Sequence, residues 1–286
     1  MSELLERLKD LFRKSSPKKS VDINVLKGAF LGAAIGESIG MPVKNKTIEE
    51  LTVNPVSDFL GFGDMSLPAG STDVCTESLL DFAKYLVDNV TPDISVSRFF
   101  SLVNNWYIIK VMDEPQRLRI MIPCACLSGV YYSCMKPNLY KAAEAVPDIV
   151  CDEAVVSSTF VFYVSYYISL GENPKSAIGK AHIKTNMVLK KIGIIVLPNS
   201  FYENLFNVLN TCYSNSFDFK TNILYCVNKG FYPDLIGNVC GFFSGLFCGV
   251  ENIPYIWSEI LLQRDVLQSS AESTMEKMGA LAQNLV

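Results

Sequence analysis

The chain is poor in the residues on which the commoner enzyme chemistries depend. It holds one histidine, His182, among 286 residues. A His-rich zinc site or a Ser-His-Asp triad is therefore not expected. The setting IGKAHIKTN reads as a surface helix position rather than that of a catalytic base. Basic charge is also lacking: 25 Lys and Arg face 29 Asp and Glu, for a net charge of −4. The broad positive footprint of a nucleic-acid binder is absent. No run supplies the roughly 20 apolar residues of a membrane span. The most apolar windows are 160–170 and 235–250, and the second is interrupted by Asn238 and four glycines. The opening MSELLERLKDLFRK is charged throughout, unlike a secretory leader. None of the nine cysteines forms a CxxC pair, and most sit in apolar runs. They are expected to be buried, reduced thiols that act as small hydrophobes. Sustained apolar–polar alternation is missing too, so no sheet is expected. These absences leave an intracellular, cytoplasmic, all-α protein with 49% hydrophobic residues, ample for one large core.

What the chain does have is glycine at helical spacing. Gly28, Gly32, Gly36 and Gly40 form one ladder; Gly237, Gly241, Gly245 and Gly249 form another. A spacing of four places each set on one helix face. Each interior helix glycine costs about 1 kcal/mol relative to alanine. The offsetting gain is a close backbone approach that a side chain would block. Two helices, one near each end, are thus expected to pack tightly against something.

Residues 1–14 place Leu4, Leu5, Leu8, Leu11 and Phe12 on one stripe, with Arg and Lys on much of the remainder. Residues 15–20 read as a linker. Two readings stand for this helix: docking on a partner or membrane surface, or folding back on the domain or fraying. Residues 1–21 are set apart as this helix and linker, and 22–286 as one compact multi-helix domain. Asp22 is the expected cap of a helix over about 24–41, ended by Pro42. Residues 44–70, rich in Gly, Pro, Asn and Asp, read as one long loop. Thr72 or Asp73 begins the next helix. Further helices are expected near 95–111, 116–135, 138–145, 152–170, 174–190, 200–211, 219–228, 234–249 and 254–264, with a short one at about 270–284.

Three places concentrate polar chemistry. Glu37 is the one charge in an apolar turn and needs a cation, a metal or a hydrogen-bond donor, unless it sits at a solvated rim. Pro68–Glu77 brings Thr72 and Asp73 to a helix start, where hydroxyl, carboxylate and carbonyl oxygens suit a hard cation and equally suit a plain N-cap. A Gly- and Pro-bearing loop from Val227 ends in Asp234 and enters the second ladder, where capping again suffices.

Together these elements resemble the ADP-ribosylglycohydrolase family, which includes the dinitrogenase reductase-activating glycohydrolase. Its members open with a helix of the form GAxxGxAxGDALGMPxE; Gly28–Lys44 reads GAFLGAAIGESIGMPVK. A Thr-Asp-Asp run follows a glycine loop, where this chain has Gly70-Ser-Thr-Asp-Val-Cys75. The last motif, VNxGGDxDT before a glycine-rich helix, corresponds to Val227-Asn-Lys-Gly-Phe-Tyr-Pro-Asp-Leu235. Arg119–Pro123 answers loosely to an MRxxP segment, one residue longer. The resemblance spans about residues 25–260.

The resemblance implies two Mg²⁺ ions that orient an ADP-ribosyl group for hydrolysis of its bond to a protein side chain. It assigns Thr72, Asp73 and Asp234 as metal ligands and Asp73 and Glu37 as catalytic candidates. Gly230, Tyr232 and Lys44 are the ligand-binding candidates. Val74, Tyr232 and Leu235 stand where the family carries ligands, Phe231 replaces a glycine, and Lys44 stands where a Glu often follows. At most one Mg²⁺ is therefore expected, and Lys44 is expected to pair with Asp73 or Glu37 in place of metal charge. The expected function is a weakened or inactive relative that binds ADP-ribose, an ADP-ribosylated protein or a protein partner. The competing reading is an active Mg²⁺-dependent hydrolase.

Overall fold

The computed structural model describes residues 21–89, 113–135, 153–191, 193 and 195–283. The expected helices over 1–14, 95–111 and 138–145, with the 15–20 linker, lie outside these residues. The described helices are α1 (Ile23–Gly40), α2 (Ile48–Val53), α3 (Val74–Asn89), α4 (Glu114–Met135), α5 (Glu153–Ser169), α6 (Pro174–Lys191), α7 (Phe201–Asn215), α8 (Phe219–Val227), α9 (Pro233–Cys248), α10 (Tyr255–Ile260) and α11 (Arg264–Gln283). Among the described residues there is no strand, only an isolated bridge between Phe62 and Leu67. None of these helices is long and apolar enough to cross a membrane. The all-α, single-core reading holds.

The two ladders pack on each other. A Cβ on Gly32 would fall 2.1 Å from the Gly241 carbonyl oxygen, and one on Gly36 would fall 1.8 Å from that of Gly237. Gly28 lies likewise against Gly245, and Gly40 against Pro233. As the number rises on α1 it falls on α9, so the helices run antiparallel. At these distances the obstacle is backbone, which no rotamer change can relieve. The packing leaves glycine hydrogens facing carbonyl oxygens, the geometry of weak Cα–H···O contacts.

The rest of the core surrounds this pair. Nearly every residue of α5 is buried, as befits a helix apolar on all sides. It packs on α4 at Gly129, whose Cβ would meet the Phe162 carbonyl oxygen at 2.2 Å. Local caps explain several helix starts. Asp22 accepts from the Val25 N–H at 2.9 Å, as its position predicts. The 44–70 segment is less irregular than expected. Thr47 and Glu50 close a capping box that starts α2; the Thr-x-x-Glu spacing was its sequence signal. The 254–264 helix also differs. It stops at Ile260, and the Leu262 N–H instead donates to the Gly70 carbonyl at 3.1 Å. A much longer α11 then begins at Arg264. His182 is half-buried on α6 and stacks on Phe206 at 3.7 Å, with Nδ1 2.8 Å from the Tyr202 hydroxyl.

Candidate functional site

The seam fixes what meets at its open end. Past Gly40 the chain of α1 runs through a 3-10 turn, Met41–Val43, to Lys44. Opposite, α9 begins with Tyr232, Pro233 and Asp234. The Gly70–Asp73 turn enters α3 beside them, and Arg119 reaches in from α4.

Asp234 is the centre of this arrangement and is 1% exposed. Its Oδ2 accepts from Arg119 Nε at 2.7 Å and its Oδ1 from Arg119 Nη2 at 3.1 Å. This forked pair is the strongest geometry available to a carboxylate and a guanidinium. Lys44 Nζ lies 3.4 Å from Asp234 Oδ2 and 3.6 Å from Asp73 Oδ2. Lys44 thus bridges the two aspartates that the resemblance assigned to metal. Of the two partners expected for it, Asp73 is met, and Asp234 takes the place of Glu37. Burial opposes the charge on Arg119, but Asp234 outweighs it and holds the guanidinium firmly protonated.

Glu37 has a different partner. It is 1% exposed, and its two oxygens accept from the Cys75 and Thr76 N–H groups, both at 2.9 Å. It caps the start of α3 from another helix, satisfying donors that the first turn leaves open. Burial pushes its carboxyl up from 4.5 to about 7; the two N–H bonds pull it back, and the nearby Asp234 charge adds to the rise. Thr72 contributes a buried hydroxyl oxygen with no hydrogen-bond partner among the described residues.

Tyr232 sits at φ 44°, a left-handed conformation that is unusual for a bulky residue. Its ring packs on Phe201 at 5.3 Å and Phe231 at 5.2 Å, and lies 5.2 Å beneath the Arg119 guanidinium. The Phe231–Tyr232 aromatic pair therefore fills space and supports the cation. Gly230 has φ +64°, and a Cβ there would fall 2.5 Å from the Ile48 nitrogen. It lets the loop cross the start of α2. In the same loop Asn228 accepts from the Val56 N–H at 2.8 Å and donates to its carbonyl at 2.9 Å. Leu235 is fully buried. Asp73, Asp234 and Lys44 come together, with Thr72 on the turn before α3 and Glu37 of α1 at the α3 start, while Gly230 serves the loop's path. Arg119 is the residue that sequence reasoning left out of the site. Its signal was a charge inside the apolar stretch Leu118–Leu127.

A helical domain organised on a backbone-to-backbone helix pair, with carboxylates at one end of the seam, defines the class of fold. A solved structure described as an "ADP-ribosylglycohydrolase-related protein complex" shares it at a TM-score of 0.64, covering 90% of this chain and 98% of that one. The two sequences are 19% identical, so the likeness speaks to the fold. No protein-family model matches the chain, and no curated protein does.

Proposed function

We propose that this chain is an ADP-ribosylglycohydrolase-type protein in which Lys44 and Arg119 have taken over the electrostatic role of metal. Such a protein binds ADP-ribose or an ADP-ribosylated partner and is weakened or silent as a hydrolase. The observation that carries this is the saturation of Asp234 by Arg119 and Lys44. A hard cation needs free carboxylate oxygens, and the implied ligands do not offer them. Both Asp234 oxygens hold Arg119, and both Glu37 oxygens hold α3 N–H groups. Among the described residues, Glu37, Asp73 and Asp234 do not bring one oxygen each within 4.8 Å of the others. Lys44 also lies where a dication would sit between Asp73 and Asp234, and like charges exclude each other at such range. The donor set as arranged does not fit a Mg²⁺ pair. What the residues supply instead is a charge-balanced cluster, two cations on two aspartates, whose partly exposed member, Lys44, can turn from them to a diphosphate.

One observation favours the competing reading of an active, single-metal hydrolase. Thr72 keeps an unpaired buried hydroxyl beside Asp73, whose side chain is 36% exposed. Calorimetry of ADP-ribose binding, with and without Mg²⁺, separates the two. The proposal expects binding that ignores Mg²⁺ and weakens in Lys44→Ala. Binding that needs Mg²⁺ and is lost in Asp73→Ala, with release of ADP-ribose from modified arginine or serine, establishes the hydrolase instead. Absence of any binding refutes both and leaves a protein partner as the ligand.

A further inference from the structure

Helices α7, α8 and α9 each contribute one thiol to a common point: Cys212, Cys226 and Cys240. Their sulfur atoms all lie within 4.8 Å of one another, and all three residues are buried, at 2%, 0% and 0% exposure. Among the described residues no other group of three metal-ligand side chains comes this close. Three thiolates bound to one ion at about 2.3 Å stand roughly 4 Å apart, so the cluster needs little adjustment to close on a cation.

Three thiols packed against one another would meet the same bound, so packing alone does not make a site. The second observation is Asn222. It is 1% exposed, and neither its Oδ1 nor its Nδ2 has a hydrogen-bond partner among the described residues. Each unpaired buried polar group costs about 1–3 kcal/mol. Asn222 precedes Cys226 by one helical turn, which places both on one face of α8. Its backbone oxygen already accepts from Cys212 Sγ at 3.6 Å. A polar group also flanks the cluster: the Tyr213 hydroxyl donates to the Cys240 carbonyl at 3.0 Å and lies 3.7 Å from Cys240 Sγ and 2.7 Å from Ser244 Oγ.

We propose that Cys212, Cys226 and Cys240 form a structural site for one thiophilic closed-shell cation, Zn²⁺ or Cu⁺, with the orphaned Asn222 amide directed to it. Soft thiolates select such ions. Zn²⁺ takes four donors, and Asn222 Oδ1 supplies the fourth; Cu⁺ accepts the three sulfurs, leaving the Asn222 amide to donate to a thiolate. Each coordinating thiol gives up its proton to solvent as the metal–sulfur bond forms, so affinity rises with pH. The bound ion would tie the α7–α8 hairpin to α9 beside the seam glycine Gly241. The site is separate from the Asp234 centre and stands whether or not that centre binds ADP-ribose.

The test uses the full chain, stripped of metal under reducing conditions. Titration with Co²⁺ is expected to raise a thiolate-to-metal charge-transfer band that saturates at about one equivalent, and Zn²⁺ should displace it. A parallel Cu⁺ titration against a colorimetric chelator reports the copper arm. Cys226→Ala and Cys240→Ala should weaken binding by about 100-fold or more, while Cys248→Ala should leave it unchanged. Asn222→Leu should lower zinc affinity about 10- to 100-fold and copper affinity less. If the cysteine variants fail to fold, the wild-type titration decides alone. No charge-transfer band and no Cu⁺ capture by folded wild type would overturn the proposal. So would a band that survives in Cys226→Ala.

Discussion

Along α1 from Gly28 to Gly40 each ladder glycine meets the backbone of α9 or its C-terminal Gly249, whereas the end of the seam where α1 stops and α9 starts gathers the side chains of Glu37, Lys44, Asp73, Arg119 and Asp234. The closed part of the seam is backbone on backbone apart from Asn238, whose Nδ2 donates to the Ala33 carbonyl at 3.2 Å, so its geometry is set chiefly by the chain path. The open end is all side chains, each held by a partner of opposite charge or by a helix N-terminus. The first region determines where the second can form. Gly40 lies against Pro233, and that contact brings Lys44 within reach of Asp234. The contrast teaches that the fold rests on the glycine contacts, which involve none of the charged side chains gathered at the open end.

The sharpest way to break the comparison is to place a methyl in the closed region. Gly241→Ala puts a Cβ 1.9 Å from the Gly32 carbonyl oxygen. Relief requires the two helices to separate along their length, undoing the packing around them. Denaturant unfolding should show a loss of about 4 kcal/mol or more, a magnitude reserved for core disruption. A loss below 1 kcal/mol would mean that the helices are not in backbone contact.

At the open end, Arg119→Met removes the forked partner and leaves Asp234 buried with Lys44 alone. Breaking one side of a buried pair costs roughly 3–5 kcal/mol. The double change Arg119→Met with Asp234→Leu removes both charges and should recover most of that loss while abolishing any ADP-ribose binding. Equal destabilisation in the single and double variants would show that packing of the Arg119 stem, rather than its charge, matters. Tyr232, held at φ 44° beneath Arg119, reports the same event as a change in tyrosine fluorescence.

Glu37 sharpens the comparison through pH. Its carboxyl titrates near 4.5 when unfolded and about 7 when folded. A raised folded value means that the protonated form favours the fold. Its contribution is complete below pH 4.5 and is lost as pH rises to about 7, by roughly 3 kcal/mol from the size of the shift. Glu37→Gln does not titrate. The stability of wild type relative to this variant should therefore decline between about pH 5 and pH 8, followed by urea unfolding at each pH. A flat difference would place Glu37 in solvent. The variant itself should cost about 1–2 kcal/mol at the acid end, because the amide replaces one acceptor with a donor facing the α3 N–H groups.

How much of this was legible in sequence divides along the same line. The closed region was readable because a four-residue glycine period is a backbone property, carried by the sequence without reference to any partner. Asp22 was readable for the same local reason. The open end was less so, because its contacts cross the chain over long distances. Lys44 was singled out as a metal substitute, yet its bridge to Asp234 as well as Asp73 depends on how the seam ends. Arg119 looked like a loose motif match, because nothing in Leu118–Leu127 records that Asp234 lies opposite. Glu37 stood open between several partners, and the one it found, the N-terminus of α3, is invisible until two helices are placed. Thr47–Glu50 is the exception: its capping box was local and visible, but lay inside a stretch read whole as loop. The break after Ile260 was hidden because the donor it frees pairs with Gly70, far away in the chain.

A milder test at the open end is Lys44→Ala. The side chain is 20% exposed and its ion pairs are long. Screening keeps its contribution to stability within about 1 kcal/mol. Its electrostatic effect on the site is larger, since removal uncovers Asp73 and one side of Asp234. Mg²⁺ should then bind more tightly to the variant than to wild type by calorimetry. Equal Mg²⁺ binding in both would end the view that Lys44 replaces metal charge.

The smallest effect returns to glycine and carries the opposite sign. Gly179 lies inside α6 and Gly279 inside α11, and a Cβ on either meets nothing within 4 Å. There the residue brings only its cost, a wide choice of unfolded conformations that helix formation must remove. Gly179→Ala and Gly279→Ala should each stabilise the protein by about 0.5–1 kcal/mol in urea unfolding. The same exchange of hydrogen for methyl that dismantles the fold at Gly241 should strengthen it here. If Gly179→Ala destabilised the protein, intrinsic helix preference would not be what separates the two classes of glycine, and the argument that the seam is held by close approach would lose its control.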